Sequence, residues 1–368
     1  MRLGLNLGYL AAWSTPEGHL AMAREAERLG YADVWVAEAY GSDTATLLAW
    51  IAGQTERIGL GSAVFQIPGR TPAMAAMTAA TLDTLSKGRF RLGLGVSGPQ
   101  VSEGWHGVRF AKPLGRTREY VDIVNLAMRR KPVEYAGEHY TLPLPDGPGK
   151  ALRLTLHPAR EHVPVYLAAV GPKNLELAGE IADGWLAIFF LPEMAGDLLG
   201  PVQAGRAKVG KTMDGFDVVA GVPVVVGDDV AMCAELVRNY AALYIGGMGS
   251  REQNFYNRLA IRMGYAEDAA KIQDLYLAKQ HREAAAAVPL EFIDRTSLIG
   301  PVDRIAHRLA DYAAAGVTEL SAIHFGDEDS GVHTLRALRA AYDMSGLAEK
   351  ANAESVNNAE SVNNVKGE

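Results

Sequence analysis

The residues with chemistry to offer are few and lie far apart: Glu38 and Tyr40 in Glu38-Ala39-Tyr40, Trp105 beside His106, and the run Gly171-Pro172-Lys173-Asn174. Histidine changes its charge nearest neutrality, which makes His106 the best proton donor of the set. Tyr40 offers a phenolic proton and Glu38 a carboxylate, so the three suggest acid–base work. Each also has a plainer reading. Glu38 could be a structural acceptor for a loop N–H. Trp105 could wall a substrate or stack on it, or it could pack a loop beside a solvent-facing His106. In Gly171-Pro172-Lys173-Asn174, the free N–H groups of a helix start and the Lys173 ammonium would together attract an anion such as a phosphate. The plain alternative there is a Gly-Pro turn with a solvated lysine.

These groups need elements to position them, and the hydrophobic pattern supplies a regular series. Strand-like runs fall at 3–9, 33–38, 58–65, 90–95, 164–169, 184–190, 216–226 and 318–324. Helical patterns alternate with them. The strands are near-continuous apolar runs, as a sheet covered on both faces requires. Eight strands in strict alternation with helices predict an α/β protein, a (β/α)8 TIM barrel. An open doubly wound sheet is the main alternative, weakened by the absence of Gly-x-Gly-x-x-Gly after the first strand. In a barrel, ligands sit at the C-terminal ends of the strands. Ala39, Tyr40 and Ala169 to Asn174 all fall at such ends.

The segment from Arg57 to Gly98 reads strand, helix, strand, with glycines at 59, 61, 93, 95 and 98. Bare backbone at a strand end lets a flat ring approach closely. Tight barrel packing would require glycine equally well. This makes Gly95, Val96, Ser97 and Gly98 candidates for a ring seat. Residues 248–290 interrupt the alternation between strands seven and eight. This helical insertion is marked by Arg251, Asn254, Tyr256, Asn257 and Arg258, and could be a lid or substrate wall with Tyr256 facing substrate. It could also be a dimer surface or a solvated helix.

Composition narrows the classes. The chain has 368 residues, is 48% hydrophobic and carries a net charge of −7. No basic stripe suggests nucleic acid, and no apolar run approaches a membrane span. One cysteine, Cys233, allows neither an intrachain disulfide nor a cysteine metal site, and fits a reducing cytoplasm. No signal peptide precedes the first strand. The histidines at 157, 162, 281, 307, 324 and 333 show no ligand spacing, so no metal is expected. His324, on the eighth strand, reads as a satisfied barrel histidine. We expect one domain over 1–348 and a polar tail over 349–368, which holds a tandem hexapeptide, Ala353–Asn358 and Ala359–Asn364.

At Ser62-Ala63-Val64, Pro68, Leu82-Asp83 and Leu85-Ser86-Lys87-Gly88-Arg89-Phe90 the chain resembles the bacterial luciferase-like enzymes. Glu38 to Asp43, Ser97 to Gln100, Glu103 to Gly107, Gly171 to Asn174 and Asp183 to Trp185 resemble the actinobacterial branch that uses the deazaflavin coenzyme F420. The resemblance covers residues 1–348. It implies a TIM barrel with a flavin-like ring at the C-terminal face, a hydride transfer to or from a small-molecule substrate, and a homodimer. It also implies a non-proline cis peptide at Ala63–Val64, a bulge after Ser62 behind the ring. The alanine-rich helix Ala73–Leu85 fits a dimer surface or intrachain packing.

Departures from the family sharpen the expectation. Luciferase places a phosphate-holding arginine shortly after the strand-four glycines; the matching position here is nearest Val96, which argues against an FMN pose. Relatives often follow the acid of strand two with a histidine; here Ala39 stands there. Relatives that oxidise sugar phosphates carry a glutamate shortly after strand four, which is out of register here, so glucose-6-phosphate is not proposed. The resemblance implies an F420-dependent oxidoreductase, with Glu38 also among the cofactor contacts. The alternatives are an FMNH2-dependent monooxygenase and a non-catalytic flavin-binding protein.

Overall fold

In a computed structural model, residues 1–10 and 14–349 are described. The expected tandem hexapeptide lies outside them. Eight parallel strands close into a barrel: β1 (Arg2–Gly8), β2 (Asp33–Val36), β3 (Gly59–Ser62), β4 (Phe90–Gly95), β5 (Val165–Ala168), β6 (Gly184–Ile188), β7 (Asp217–Val226) and β8 (Glu319–Ile323). Closure is made by β8 pairing with β1, Arg2 opposite Glu319, and by β6 pairing with β7, Gly184 opposite Asp217. The expected (β/α)8 architecture is the one observed, and each strand's apolar run is buried beneath the surrounding helices.

Helix starts are written in local chemistry. Thr15, Asp43, Thr71, Asp229, Asn254 and Asp327 each cap a helix by accepting from backbone N–H groups of the first turn. The helix Pro172–Ile181, like several others, has no side-chain cap, and its N-cap is Gly171. The alanine-rich helix Pro72–Leu85 buries Ala75, Ala76, Ala79 and Ala80 in the chain's own core, with Met74 and Met77 exposed.

The third strand is shorter than the pattern suggested. It ends at Ser62, and the chain resumes pairing with β4 only at Phe65, opposite Leu94. Gly61 lies opposite Arg91, so the β3 side spends one more residue than β4 between the two pairings. This is a bulge, and the Ala63–Val64 peptide inside it is cis. Ser62 ties the bulge to β4, its Oγ donating to the Gly93 carbonyl at 2.8 Å and accepting from the Gly93 N–H at 2.9 Å.

The inserted segment between β7 and β8 is helical, as expected, but continues further. Helices cover Phe255–Arg262, Ala266–Leu277, His281–Ala286 and Leu290–Thr296, and a short strand, Leu298–Gly300, pairs with the end of β7. Outside the barrel, Tyr135–Ala136 and Thr141–Leu142 pair as an antiparallel hairpin. No helix among the described residues is long and apolar enough to cross a membrane.

Candidate functional site

The barrel's polar groups divide between its base and its open top. At the base, residues that begin the strands form a network that is buried at Asp33 and Glu319 and reaches solvent at Arg2. Arg2 donates to Asp217 at 2.9 Å, Tyr166 donates to Asp217 at 2.7 Å, and Arg91 pairs with Asp33. The Trp35 indole N–H donates to Glu319 at 2.7 Å. Glu319 and Asp33 are both fully buried, and Asp33 Oδ2 has no hydrogen-bond donor among the described residues when both acids are ionised. Burial, with Asp33 beside it, pushes the Glu319 carboxyl well above the ordinary carboxylate range. A proton on Glu319 supplies the missing donor.

Trp35 also forms the floor of the large cavity above, so the base network fixes that floor. The cavity is about 940 Å³ and opens at the C-terminal ends of the strands. Its floor and near wall are apolar: Trp35, Ala63, Val64, Leu186, Ile188 and Val219. Most of the expected cofactor contacts line it, namely Glu38, Ala63, Val64, Gly95, Val96, Ser97, Gly98, Ala169, Gly171, Pro172, Lys173 and Asn174. Ser62 does not; it lies fully buried behind the bulge, where it holds Gly93.

The strand glycines are explained by internal packing. A side chain on Gly61 would collide with the Trp35 ring, and one on Gly93 with the Ser62 carbonyl. A Cβ on Gly95 would lie 2.5 Å from Val64 Cγ2. At Gly61, the flat ring that comes close is therefore the protein's own indole. Gly95 makes room for Val64, and Val64 in turn faces the cavity.

Past the end of β5, a Cβ on Gly171 would meet nothing within 4 Å. The uncapped helix start opens on the cavity beside Lys173. Two further cations reach the same wall from the insertion, Arg258 and Arg262. Arg262 donates to the Val170 carbonyl at 2.9 Å, and Arg258 to the Glu252 carbonyl. None of the three forms an ion pair with a carboxylate among the described residues. In a chain of net charge −7, this is a cluster with room for an anion. An apolar slot leading to an anion cradle fits a flat tricyclic ring with a phosphodiester or phosphate tail.

The acid–base candidates separate. Glu38 lines the cavity, but its oxygens are engaged: Oε1 accepts from the Gln66 N–H at 3.0 Å and from Arg70, and Oε2 from the Thr44 N–H at 3.3 Å. Tyr40 lies at the mouth, 61% exposed. Trp105 and His106 do not reach the cavity. The residues after β4 turn into a short helix, Pro99–Gly104, which carries Trp105 out to 67% exposure and lays the His106 ring against Gly69. No histidine lines the cavity among the described residues. His324 is half-buried, and its Nδ1 is buried without a partner among the described residues, so it is not the satisfied histidine expected. No group of His, Cys, Asp or Glu among the described residues could hold a metal.

From the insertion, Tyr256 does line the cavity, with Phe255, Arg258, Ile261 and Arg262. Asn254 and Asn257 are instead buried braces, both donating to the Ile245 carbonyl, and Arg251 pairs with Asp274 outside. Sequence reasoning missed Asn6, Tyr9, Gln66, Gln100, Tyr244 and Met248 on the wall. Tyr9 follows β1 directly, so its place at a strand end could have been read. Tyr244 gave no such signal, because it sits on a π-helical turn, Leu243–Gly247.

Comparison with known proteins agrees with this geometry. The family model described as luciferase-like monooxygenase matches residues 4–319. A Mycobacterium tuberculosis protein, Rv3520c, provisionally named a coenzyme F420-dependent oxidoreductase, is 46% identical over 325 residues, 86% of this chain and 93% of its own. A 5,10-methylenetetrahydromethanopterin reductase of Archaeoglobus fulgidus is 29% identical over 81% of this chain and 86% of its own. Among solved structures, the coenzyme F420-dependent tetrahydromethanopterin reductase of Methanopyrus kandleri superposes with a TM-score of 0.78 at 23% identity, covering 92% of this chain and 97% of its own. The barrel, the bulge after Ser62 and the matched span together place this chain in the luciferase-like monooxygenase family.

Proposed function

We propose that the chain is a coenzyme F420-dependent oxidoreductase that passes a hydride between the deazaflavin ring and a small organic substrate. The observation that carries this reading is the continuity of one cavity, from the apolar floor at Ala63 and Val64 to the anion cradle at Gly171–Asn174. The 46% identical relative named for F420 supports it. When bound, the deazaflavin supplies two-electron hydride chemistry at a ring carbon and activates oxygen poorly.

In this reading the chain's own residues bind, orient and shield. Ala63 and Val64 would support one ring face, and Gly95 to Gly98 with Ala169 would border it. Lys173 and the N–H groups at the start of the helix Pro172–Ile181 would hold the phosphodiester. Tyr256 and its neighbours from the insertion would cover the substrate and exclude water. Glu38 serves as a positioning residue, since its carboxylate ties Gln66 and Thr44 to Arg70.

FMN is the second reading, favoured by the monooxygenase description of the family model. Oxygen uptake separates the two. With reduced FMN and oxygen, this chain should show no uptake above the spontaneous reaction. Robust oxygen consumption, without F420 binding, would overturn the proposal.

A further inference from the structure

The proton chemistry of the cavity is one-sided. Among the described residues its only carboxylate is Glu38, whose oxygens accept from two backbone N–H groups and from Arg70, and no histidine is present. The remaining titratable groups on the wall are three cations and the phenols Tyr9, Tyr40, Tyr244 and Tyr256. The wall is therefore rich in proton donors and has no open base.

Two of these phenols are held in place with unusual care. The Tyr9 ring lies flat on Gly41, where any side chain would overlap it. Tyr244 belongs to the π-helical turn Leu243–Gly247, which continues the helix Val230–Ala242 onto the cavity wall. Such turns are rare and recur at functional sites. The Tyr244 ring is fixed by Tyr240 at 4.7 Å, by Tyr256 at 4.8 Å edge-on and by Phe189 at 5.7 Å edge-on. Tyr276 clamps the turn from behind, where a Cβ on Gly246 would sit 2.5 Å from Tyr276 Cβ. Burial pushes the Tyr244 phenol up to about 12 and moves Tyr9 in the same direction. Both therefore keep their protons at neutral pH.

We infer that Tyr9 and Tyr244 form a hydrogen-bond-donating site for a substrate oxygen, and that the cavity serves reduction of a ketone or conjugated enone. This rests on the F420 reading, with the reduced cofactor as the hydride source. The electrophilic carbon of the substrate gains the hydride and its electron pair. The carbonyl π electrons move to oxygen, or through the enone to it. The O–H bond of one tyrosine breaks as the new O–H bond forms, and the tyrosinate regains a proton from water at the mouth. Donors fixed before the reaction are the arrangement that stabilises charge as it develops.

The test uses p-nitrophenolate as an oxyanion probe and p-nitroanisole as its uncharged counterpart, with wild type, Tyr244→Phe, Tyr9→Phe and Arg258→Ala. Phenylalanine keeps the ring packing and deletes only the donor. We expect wild type to prefer nitrophenolate, and each Phe variant to lose about tenfold or more of that affinity while binding nitroanisole unchanged. Nitrophenolate affinity within about twofold of wild type in both Phe variants would overturn the inference. So would a loss seen only in Arg258→Ala, or a wild type with no preference for the anion. F420 titration of the same four proteins reports separately on the cofactor reading and on folding. If F420 fails to bind wild type while the Phe variants still lose nitrophenolate, the donor site stands and the cofactor reading fails. Where F420 binds, its reduced form should be consumed by cyclohexenone, more slowly in both Phe variants. Equal rates in all proteins would overturn the role in reduction.

Discussion

Glu38 on the cavity wall pairs with Arg70 behind it, and Arg70 reaches on to Asp43. Their side chains are only 8% and 13% exposed. The pair supports the structural reading of the two that the sequence left open for Glu38. Removing one member of a buried pair strands the other charge, at a cost of about 3–5 kcal/mol. Glu38→Ala should therefore lower stability by about 3 kcal/mol in urea unfolding. An unchanged urea midpoint, with hydride transfer lost, would return Glu38 to an acid–base role.

Glu319 and Trp35 give a second prediction. The raised Glu319 pKa means that the folded chain holds a proton that the unfolded chain releases. That contribution is fully present below the ordinary carboxyl value and is lost as pH rises through the folded value. Wild-type stability should fall with pH from about pH 5 upward, by up to about 1.4 kcal/mol per pH unit for this one group. Glu319→Gln keeps an acceptor for the Trp35 N–H and a donor toward Asp33, and should flatten this part of the profile. Urea midpoints measured across pH check it, and parallel wild-type and variant profiles would contradict it.

Gly95 and Val64 give a third. A Cβ on Gly95 would force Val64 toward the cavity. Gly95→Ala should cost about 1–3 kcal/mol through overpacking and weaken cofactor binding. Adding Val64→Ala to the same chain should restore most of both. Isothermal titration on the single and double variants reads this directly, and a double variant no better than Gly95→Ala would refute the coupling.

Lys173 gives a fourth. A solvent-facing ammonium adds on the order of 1 kcal/mol to anion binding, so Lys173→Ala should weaken the cofactor by roughly fivefold. The loss should shrink as salt is added, because exposed charges are screened. Affinity unchanged at low salt would place the phosphodiester elsewhere.

The fold was legible in the sequence because eight buried strands must be continuously apolar and helices must alternate with them. The place of Gly171-Pro172-Lys173 on the cavity wall was legible because the run sits just past the fifth strand. The glycines of β3 and β4 were ambiguous in the sequence. A missing side chain records that something comes close, but does not say what, and at Gly61 the neighbour is Trp35. His106 misled for a similar reason. Loop position after β4 is compatible with the cavity, but the Pro99–Gly104 helix turns the histidine away. Tyr244 was invisible because a π-helical turn has no sequence period, and its place on the wall depends on ring contacts with Tyr240 and Tyr256 and, from a distant segment, with Phe189.

The most direct measurement is a side-by-side titration of the chain with F420 and FMN, followed by the absorbance and fluorescence of each ring. The account predicts saturable binding of F420, at least about tenfold tighter than FMN and weakened by Lys173→Ala. Saturable binding of FMN with no response to F420 would contradict it.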